Sequence, residues 1–179
     1  GGLVRPAAEW REITLANVAF GQGLSATPLQ ILQATGVFAT GGLKLKPHIV
    51  RGTLDKTGVF TPLVRPAAER VLSAETARVL TEMMVEVTRQ GGTAVAAAVP
   101  GFLVAGKTGT AQKVDPVTRA YSHSLYFASF TGFVPADKPE VVILVAIDEP
   151  KRSIYGGTVA APAFKQIAIA ARSALEVFP

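Results

Sequence analysis

The sequence predicts an α+β chain in which an antiparallel sheet is packed by helices. Two β-prone runs, Leu125–Val134 and Glu140–Ile147, are separated by the polar turn Ala136–Pro139, an arrangement that favours an antiparallel hairpin. A third apolar run, Phe102–Lys107, precedes them and makes three sequential strands. Helix signals bracket the strands, with capped apolar segments before them and a long alanine-rich segment after them.

Composition limits the classes of function. The chain has 179 residues, 49% of them hydrophobic and 17% charged, enough for one domain with a real core and not the profile of a disordered tail. The net charge of +5 is compatible with an anionic partner such as nucleic acid, an acidic membrane surface or an anionic glycan. There is no dense Lys/Arg run and no aromatic-interleaved basic stripe, so nucleic acid is not an expected partner; Lys44/Lys46 and Lys151/Arg152 read as ordinary solvated positions. The chain has no cysteine, which excludes a disulfide framework and a thiolate nucleophile. Its two histidines, His48 and His123, lie far apart without ligand spacing, so no metal is expected.

Taken in order, Gly1–Arg11 is a polar lead-in without the apolar core of a signal peptide, with Trp10 as its anchor. The heptapeptide L-V-R-P-A-A-E occurs at Leu3–Glu9 and again at Leu63–Glu69; its flanks differ, and one recurrence makes no solenoid. Ile13–Leu43 carries no charge, but Asn17, Gln22, Pro28, Gln30, Gln33 and several glycines interrupt it too often for a membrane span, and the chain as given reads as soluble. Gly21 and Gly23 flank Gln22 in a tight loop. Thr27–Pro28 then starts a helix, with threonine at the N-cap and proline at the first helical position; Leu29, Ile31, Leu32, Thr35, Gly36 and Phe38 bury much of its surface, and Gly41–Gly42 ends it.

Leu43–Leu54 is a short extended segment and Lys56–Pro66 is turn-rich. Ser73 caps a second helix, whose Val79, Leu80, Met83, Met84 and Val87 form an apolar stripe up to Gly91–Gly92; the methionines read as core packing. Thr93–Val99 is a short helix or a linker. After Lys113–Ser124, where Asp115–Pro116 favours a turn, come the two hairpin strands. Asp148 and Glu149 read as a strand end, pointing to opposite faces of an extended chain. The last helix runs from about Thr158 to Val177, its small residues suited to lie close against a sheet and its Lys165, Gln166 and Arg172 ruling out a membrane span.

The chemistry centres on Val104–Gln112, V-A-G-K-T-G-T-A-Q. Phe102–Ala105 reads as a short buried strand that Lys107 ends, with Thr108, Gly109 and Thr110 following in extended conformation. A lysine beside two hydroxyls and exposed backbone N–H groups is suited to hold a carboxylate or a developing oxyanion. Gly109 leaves room for a ligand backbone to approach. The bland alternative for these letters alone is a strand ending in a polar turn. His123 sits in a polar loop and reads as exposed.

Four blocks together carry a family resemblance: F-G-Q-G-L-S-A-T-P-L-Q at Phe20–Gln30, V-A-G-K-T-G-T-A-Q at Val104–Gln112, S-F-T-G-F-V-P-A-D-K-P at Ser129–Pro139 and Y-G-G-T-V-A-A-P-A-F at Tyr155–Phe164. In this order the chain resembles the second half of the transpeptidase domain of class B penicillin-binding proteins, most closely the septal, division-specific type. That family is a serine acyltransferase with the motifs S-x-x-K, S-x-N and K-T-G. Only the third is present. No serine has a lysine three positions on, and the sole asparagine, Asn17, follows Leu15 by two. The resemblance therefore implies a C-terminal fragment, whose nucleophile, general-base lysine and membrane anchor lie upstream of Gly1.

The resemblance further implies an incomplete penicillin-binding protein/serine β-lactamase-like fold, with residues 1–100 mainly a segment of the helical lobe and 101–179 the strands of the sheet and the C-terminal helix. Lys107 would hold a positive potential and help the S-x-N serine manage protons. Thr108 and Thr110 hydroxyls would bind the carboxylate of a D-Ala-D-Ala stem peptide or of a β-lactam. The Thr110 N–H would be one of two oxyanion donors, a contribution of roughly 3–4 kcal/mol in the transition state. Gly109 and Gly156 would line the substrate site and Tyr155 would be an aromatic wall of the cleft; Ile154 stands where the family often has a second aromatic. No cofactor or metal is implied. Partners would be the missing N-terminal half and membrane proteins of a division complex, at the periplasmic side of the inner membrane. The expected activity is D,D-transpeptidation in septal wall synthesis, with the fragment alone inactive; the alternatives are a non-catalytic scaffold module of the same family and, third, a class D β-lactamase or β-lactam sensor, which the first and last blocks disfavour. The three strands alone would leave an unpaired edge and uncovered apolar helix faces for a partner segment, another copy or a swapped arrangement to cover.

Overall fold

The structure, a computed structural model, describes residues 2–176, with Glu176 described for its backbone only. Gly1, where the predicted lead-in begins, and Val177, where the predicted last helix ends, lie outside the described residues.

The lead-in makes a 3-10 turn at Ala7–Glu9, and Trp10 anchors it by donating from Nε1 to Arg5 O at 2.9 Å. Helix α1 (Glu12–Ala19) follows, which the sequence did not announce: Arg11 supplies no side-chain cap, and no residue of the helix is buried. Gly21 and Gly23 form the expected tight loop, with φ of 89° and 78°. Helix α2 (Pro28–Ala39) starts on a capping box, in which Thr27 Oγ1 accepts from Gln30 N and Gln30 Oε1 accepts from Thr27 N. Gly41 and Gly42, at φ 64° and 95°, end it, and a Cβ on Gly42 would fall 2.3 Å from Leu72 O.

Two small antiparallel pairs follow: β1 (Leu43–Lys44) with β4 (Glu69–Arg70), and β2 (Gly52–Leu54) with β3 (Phe60–Pro62). The segment 56–66, expected to be turns, thus includes one arm of a hairpin, with the Asp55 carboxylate accepting from Thr57 N and Val59 N at its tip. The two copies of L-V-R-P-A-A-E adopt different structures, one closing in the 3-10 turn and the other leading into β4, as expected of a chance recurrence. Helix α3 (Ala74–Glu86) begins at Ser73, whose Oγ accepts from Thr76 N. A single 3-10 turn, Val95–Ala97, occupies the predicted helix or linker.

The main sheet is antiparallel in the order β5–β6–β7, from β5 (Ala105–Val114), β6 (Tyr121–Val134) and β7 (Val141–Asp148). Short helix α4 (Gly156–Val159) and long helix α5 (Ala161–Glu176) close the chain. A core forms on each face of the sheet. On one face Phe130 meets Phe164 of α5 edge to face, with centroids 4.8 Å apart, among Val104, Val134, Ile143, Ala160 and Ala168. On the other, Phe133 and Ala105 pack with Val85 of α3 and with Phe38 of α2. Thr35 of α2, buried, shares a 2.9 Å hydrogen bond with Thr131 of β6 on that face. Among the described residues no helix is long and apolar enough to cross a membrane.

Several expectations are corrected. The strand predicted over Phe102–Lys107 starts only at Ala105 and continues to Val114, because pairing with β6 carries the backbone on; Phe102 and Leu103 lie before it, largely exposed. Met83 is 61% exposed, on the outer side of α3, while Met84 packs inward; adjacent helical residues are turned about 100° from each other, and here the buried stripe takes only the second. Only Thr35 and Val37 of α2 are buried, and Leu29 is exposed, so the described chain covers less of that helix than its apolarity predicts. The final helix breaks at Ala160, where α4 ends before α5 begins.

Candidate active site

Strand β5 lies at one edge of the main sheet, with β6 on its inner side and no strand among the described residues on its outer side. Lys107, Thr108, Gly109 and Thr110 are all within it, in register with Thr131, Phe130, Ser129 and Ala128. Side chains alternate along a strand, so Thr108 and Thr110 stand on the α5 face with Phe130, and Lys107 on the α2 face with Thr131. Lys107 and Thr110 are exposed and Thr108 is half-buried. Lys107 joins the two faces: its Nζ turns back to donate to Thr108 O at 2.8 Å and to Thr108 Oγ1 at 3.4 Å. The ammonium and the Thr108 hydroxyl are therefore adjacent at an accessible sheet edge, where they can hold an anionic group.

Gly156 and Gly157 bring α4 onto this strand. A Cβ on Gly156 would fall 2.0 Å from Ser129 O and 2.8 Å from Gly109 O, and one on Gly157 would fall 2.0 Å from Thr93 O and 3.5 Å from Thr108 Cγ2. Any side chain at either position would push the helix off the sheet. Thr93 Oγ1 lies 3.4 Å from Thr108 Oγ1, adding a third hydroxyl to the row. Tyr155, immediately before this contact, is 63% exposed. Of the residues predicted for the site, Lys107, Thr108, Gly109, Thr110 and Gly156 are thus gathered on one strand edge and the helix start above it, with Tyr155 next in the chain. Thr93 was not anticipated; its place follows from the path of 93–99, which the sequence left open between helix and linker. His123 is exposed, as expected, but it lies in β6 and not in a loop.

Asp148 and Glu149 depart from the sequence reading. Asp148 does end β7, but the two carboxylates do not diverge: both reach Lys113 Nζ, at 2.8 Å each. Glu149 has φ 49°, in the left-handed region, so the chain is no longer extended there and alternation fails. The hydrogen bonds that Lys113 donates to Asp148 and Glu149 hold its ammonium above its ordinary pKa. At the β5–β6 connection, the N–H groups of Thr118 and Val117 hold Asp115 below the usual carboxylate range.

The α+β sheet, packed on both faces, carries a lysine and hydroxyl row on an edge that no further strand among the described residues covers, and comparison with known proteins gives its family. Residues 1–168 match the family model described as the penicillin binding protein transpeptidase domain. The chain is 39% identical to the penicillin-binding protein PbpB of Mycolicibacterium smegmatis over 175 residues, covering 93% of this chain and 27% of that protein. It is 38% identical to the probable peptidoglycan D,D-transpeptidase PenA of Neisseria flavescens, covering 99% of this chain and 42% of that protein. The crystal structure of penicillin-binding protein 3 from Mycobacterium tuberculosis complexed with aztreonam superposes with a TM-score of 0.89 at 38% identity, over 98% of this chain and 41% of that one. The chain belongs to the transpeptidase family of penicillin-binding proteins, on its class B branch. It spans less than half the length of these relatives.

Proposed function

We propose that this chain is the C-terminal part of a peptidoglycan D,D-transpeptidase domain acting in septal wall synthesis, and that its β5 edge binds the donor stem peptide. The observation that carries this is the Lys107–Thr108 pair on the free edge of the sheet, with Thr110 two residues on along the same face as Thr108. An extended D-Ala-D-Ala end laid along that edge has backbone groups to pair with and a terminal carboxylate to place against the ammonium and hydroxyls. In the reaction, a serine outside this chain attacks the carbonyl between the two D-alanines. The C–N bond breaks, the terminal D-Ala leaves as an amine after taking a proton, and a serine ester remains; an amine of a neighbouring stem peptide then displaces the serine. Thr110 N–H serves as one donor to the oxyanion, and Tyr155 walls the cleft. A β-lactam occupies the same place, a use supported by the aztreonam complex of the related protein.

Residues 1–100 contribute to the helical lobe and 101–179 to the sheet and its covering helix, and the remainder of the protein completes both. The exposed apolar side chains of α1 and α2, among them Ile13, Leu15 and Leu29, suit that cover. The whole protein is anchored upstream of these residues in the inner membrane, faces the periplasm and works with membrane proteins of the division complex.

A fluorescent penicillin tests this. The full-length protein becomes covalently labelled, residues 1–179 alone do not, and Lys107→Met slows labelling of the full-length protein by about a hundredfold or more while leaving its thermal melt in place. Absence of labelling in the native full-length protein would turn the assignment to a non-catalytic scaffold.

A further inference from the structure

The loop from Glu149 to Tyr155 is held at both ends by strand β5. At its far end Gly156 rests on Gly109 O and Ser129 O, within the K-T-G-T segment and its partner strand. At its near end Glu149 Oε1 accepts from Lys113 Nζ at 2.8 Å, and Glu149 N donates to Tyr126 O at 2.9 Å. Lys113 comes from the irregularity in β5 between Gln112 and Val114, where the register against β6 shifts. Such a bulge re-aims a side chain that a regular strand would direct elsewhere. Here the re-aimed ammonium crosses β6 to the end of β7, where Ala111, Phe127 and Asp148 stand level across the three strands. Glu149 meets it from a left-handed backbone conformation that a non-glycine residue rarely takes.

These contacts are too exposed to stabilise the fold much, since ion pairs open to solvent contribute little. Their value is geometric. Residues three positions beyond Thr110 fix where the loop that carries Tyr155 leaves the sheet. Resting on the assignment of this edge as the stem-peptide site, we propose that Lys113 is a positioning residue: by clasping Glu149 and Asp148 it sets the placement of Tyr155, next in the chain to the Gly156–Gly109 contact, and through it the binding of the donor peptide or β-lactam.

The test measures acylation of the full-length protein by a fluorescent penicillin, separating binding from the acylation step. Lys113→Met is expected to lower the second-order rate by roughly ten- to a hundredfold, through weaker binding with little change in the limiting rate. Lys113→Arg, which can still reach both carboxylates, retains most of the native rate. The decisive readout is the double variant with Tyr155→Ala. If Lys113 acts through Tyr155, the second substitution adds little to the first; full additivity of the two losses, or an unchanged rate in Lys113→Met, would overturn the proposal. Should Lys113→Met not fold by its thermal melt, Glu149→Gln takes its place in the same cycle, with the same outcomes. A native protein that takes no label at all would instead overturn the transpeptidase assignment, and this inference with it.

Discussion

Gly156 sits directly on the backbone of Ser129, so close that a Cβ would fall 2.0 Å from the Ser129 carbonyl oxygen. This contact seats the start of α4 over the K-T-G-T strand. Gly156→Ala forces either the helix or the strand to move. The cost expected of such overpacking is about 1–3 kcal/mol. A thermal melt of the full-length protein measures it, and penicillin acylation falls in parallel because Tyr155 moves with the helix. A variant that melts and acylates like the native protein would refute the contact.

In the proposed stem-peptide site, Lys107 and Thr108, whose ammonium and hydroxyl lie side by side, would meet the same anionic group by different means. Thr108→Val removes one hydroxyl and leaves the ammonium, so β-lactam acylation falls by about tenfold, as for one hydrogen bond to a charged group. Lys107→Met removes the charge and lowers acylation by a further order of magnitude or more. Rates measured across ionic strength distinguish them: salt weakens binding in Thr108→Val, and salt sensitivity is reduced in Lys107→Met.

Thr35 and Thr131 tie α2 to the central strand through their hydroxyls, on the face where Lys107 stands. Thr35→Val leaves the shape intact and removes the bond, for a loss of about 1 kcal/mol. The double change with Thr131→Val is expected to be less than additive, because both single changes remove the same Thr35–Thr131 bond. Chemical denaturation of the single and double variants gives the coupling.

Asp115 provides the pH dependence. Its folded pKa is depressed by the N–H groups of Thr118 and Val117, so its contribution to the β5–β6 connection is present above its unfolded pKa and is lost as pH falls through the lower folded value. The ordinary aspartate value is 3.8, so the amide resonances of Val117 and Thr118 should titrate with a midpoint below it. Asp115→Asn abolishes that titration; a midpoint at or above 3.8 in the native chain would contradict the hydrogen-bonded turn.

Much of the fold was legible because its signals are local. Thr27–Pro28 and Ser73 announce helix starts whose caps form within three residues, and Gly41–Gly42 announces an end that needs positive φ. The hairpin β6–β7 follows from two apolar runs about one short turn. Helix α1 was not legible, since it has neither cap nor buried face among the described residues. The extent of β5 was misjudged because Thr108–Val114 is polar, and it is a strand through its pairing with β6 rather than through its own apolarity.

The chain of residues by itself determined the chemistry available: one lysine, two threonines and a glycine in a row, a Gly–Gly pair after a tyrosine, and the absence of S-x-x-K and S-x-N from these positions. Only the tertiary structure decided that the row lies on a sheet edge with no further strand beside it among the described residues, that Gly156 closes on Gly109, and that Lys113 reaches Asp148 and Glu149. The physical reason is range. Capping and turn preferences act between residues a few positions apart, whereas Lys113 and Glu149 are 36 positions apart and meet only because β6 holds β5 and β7 on either side of it.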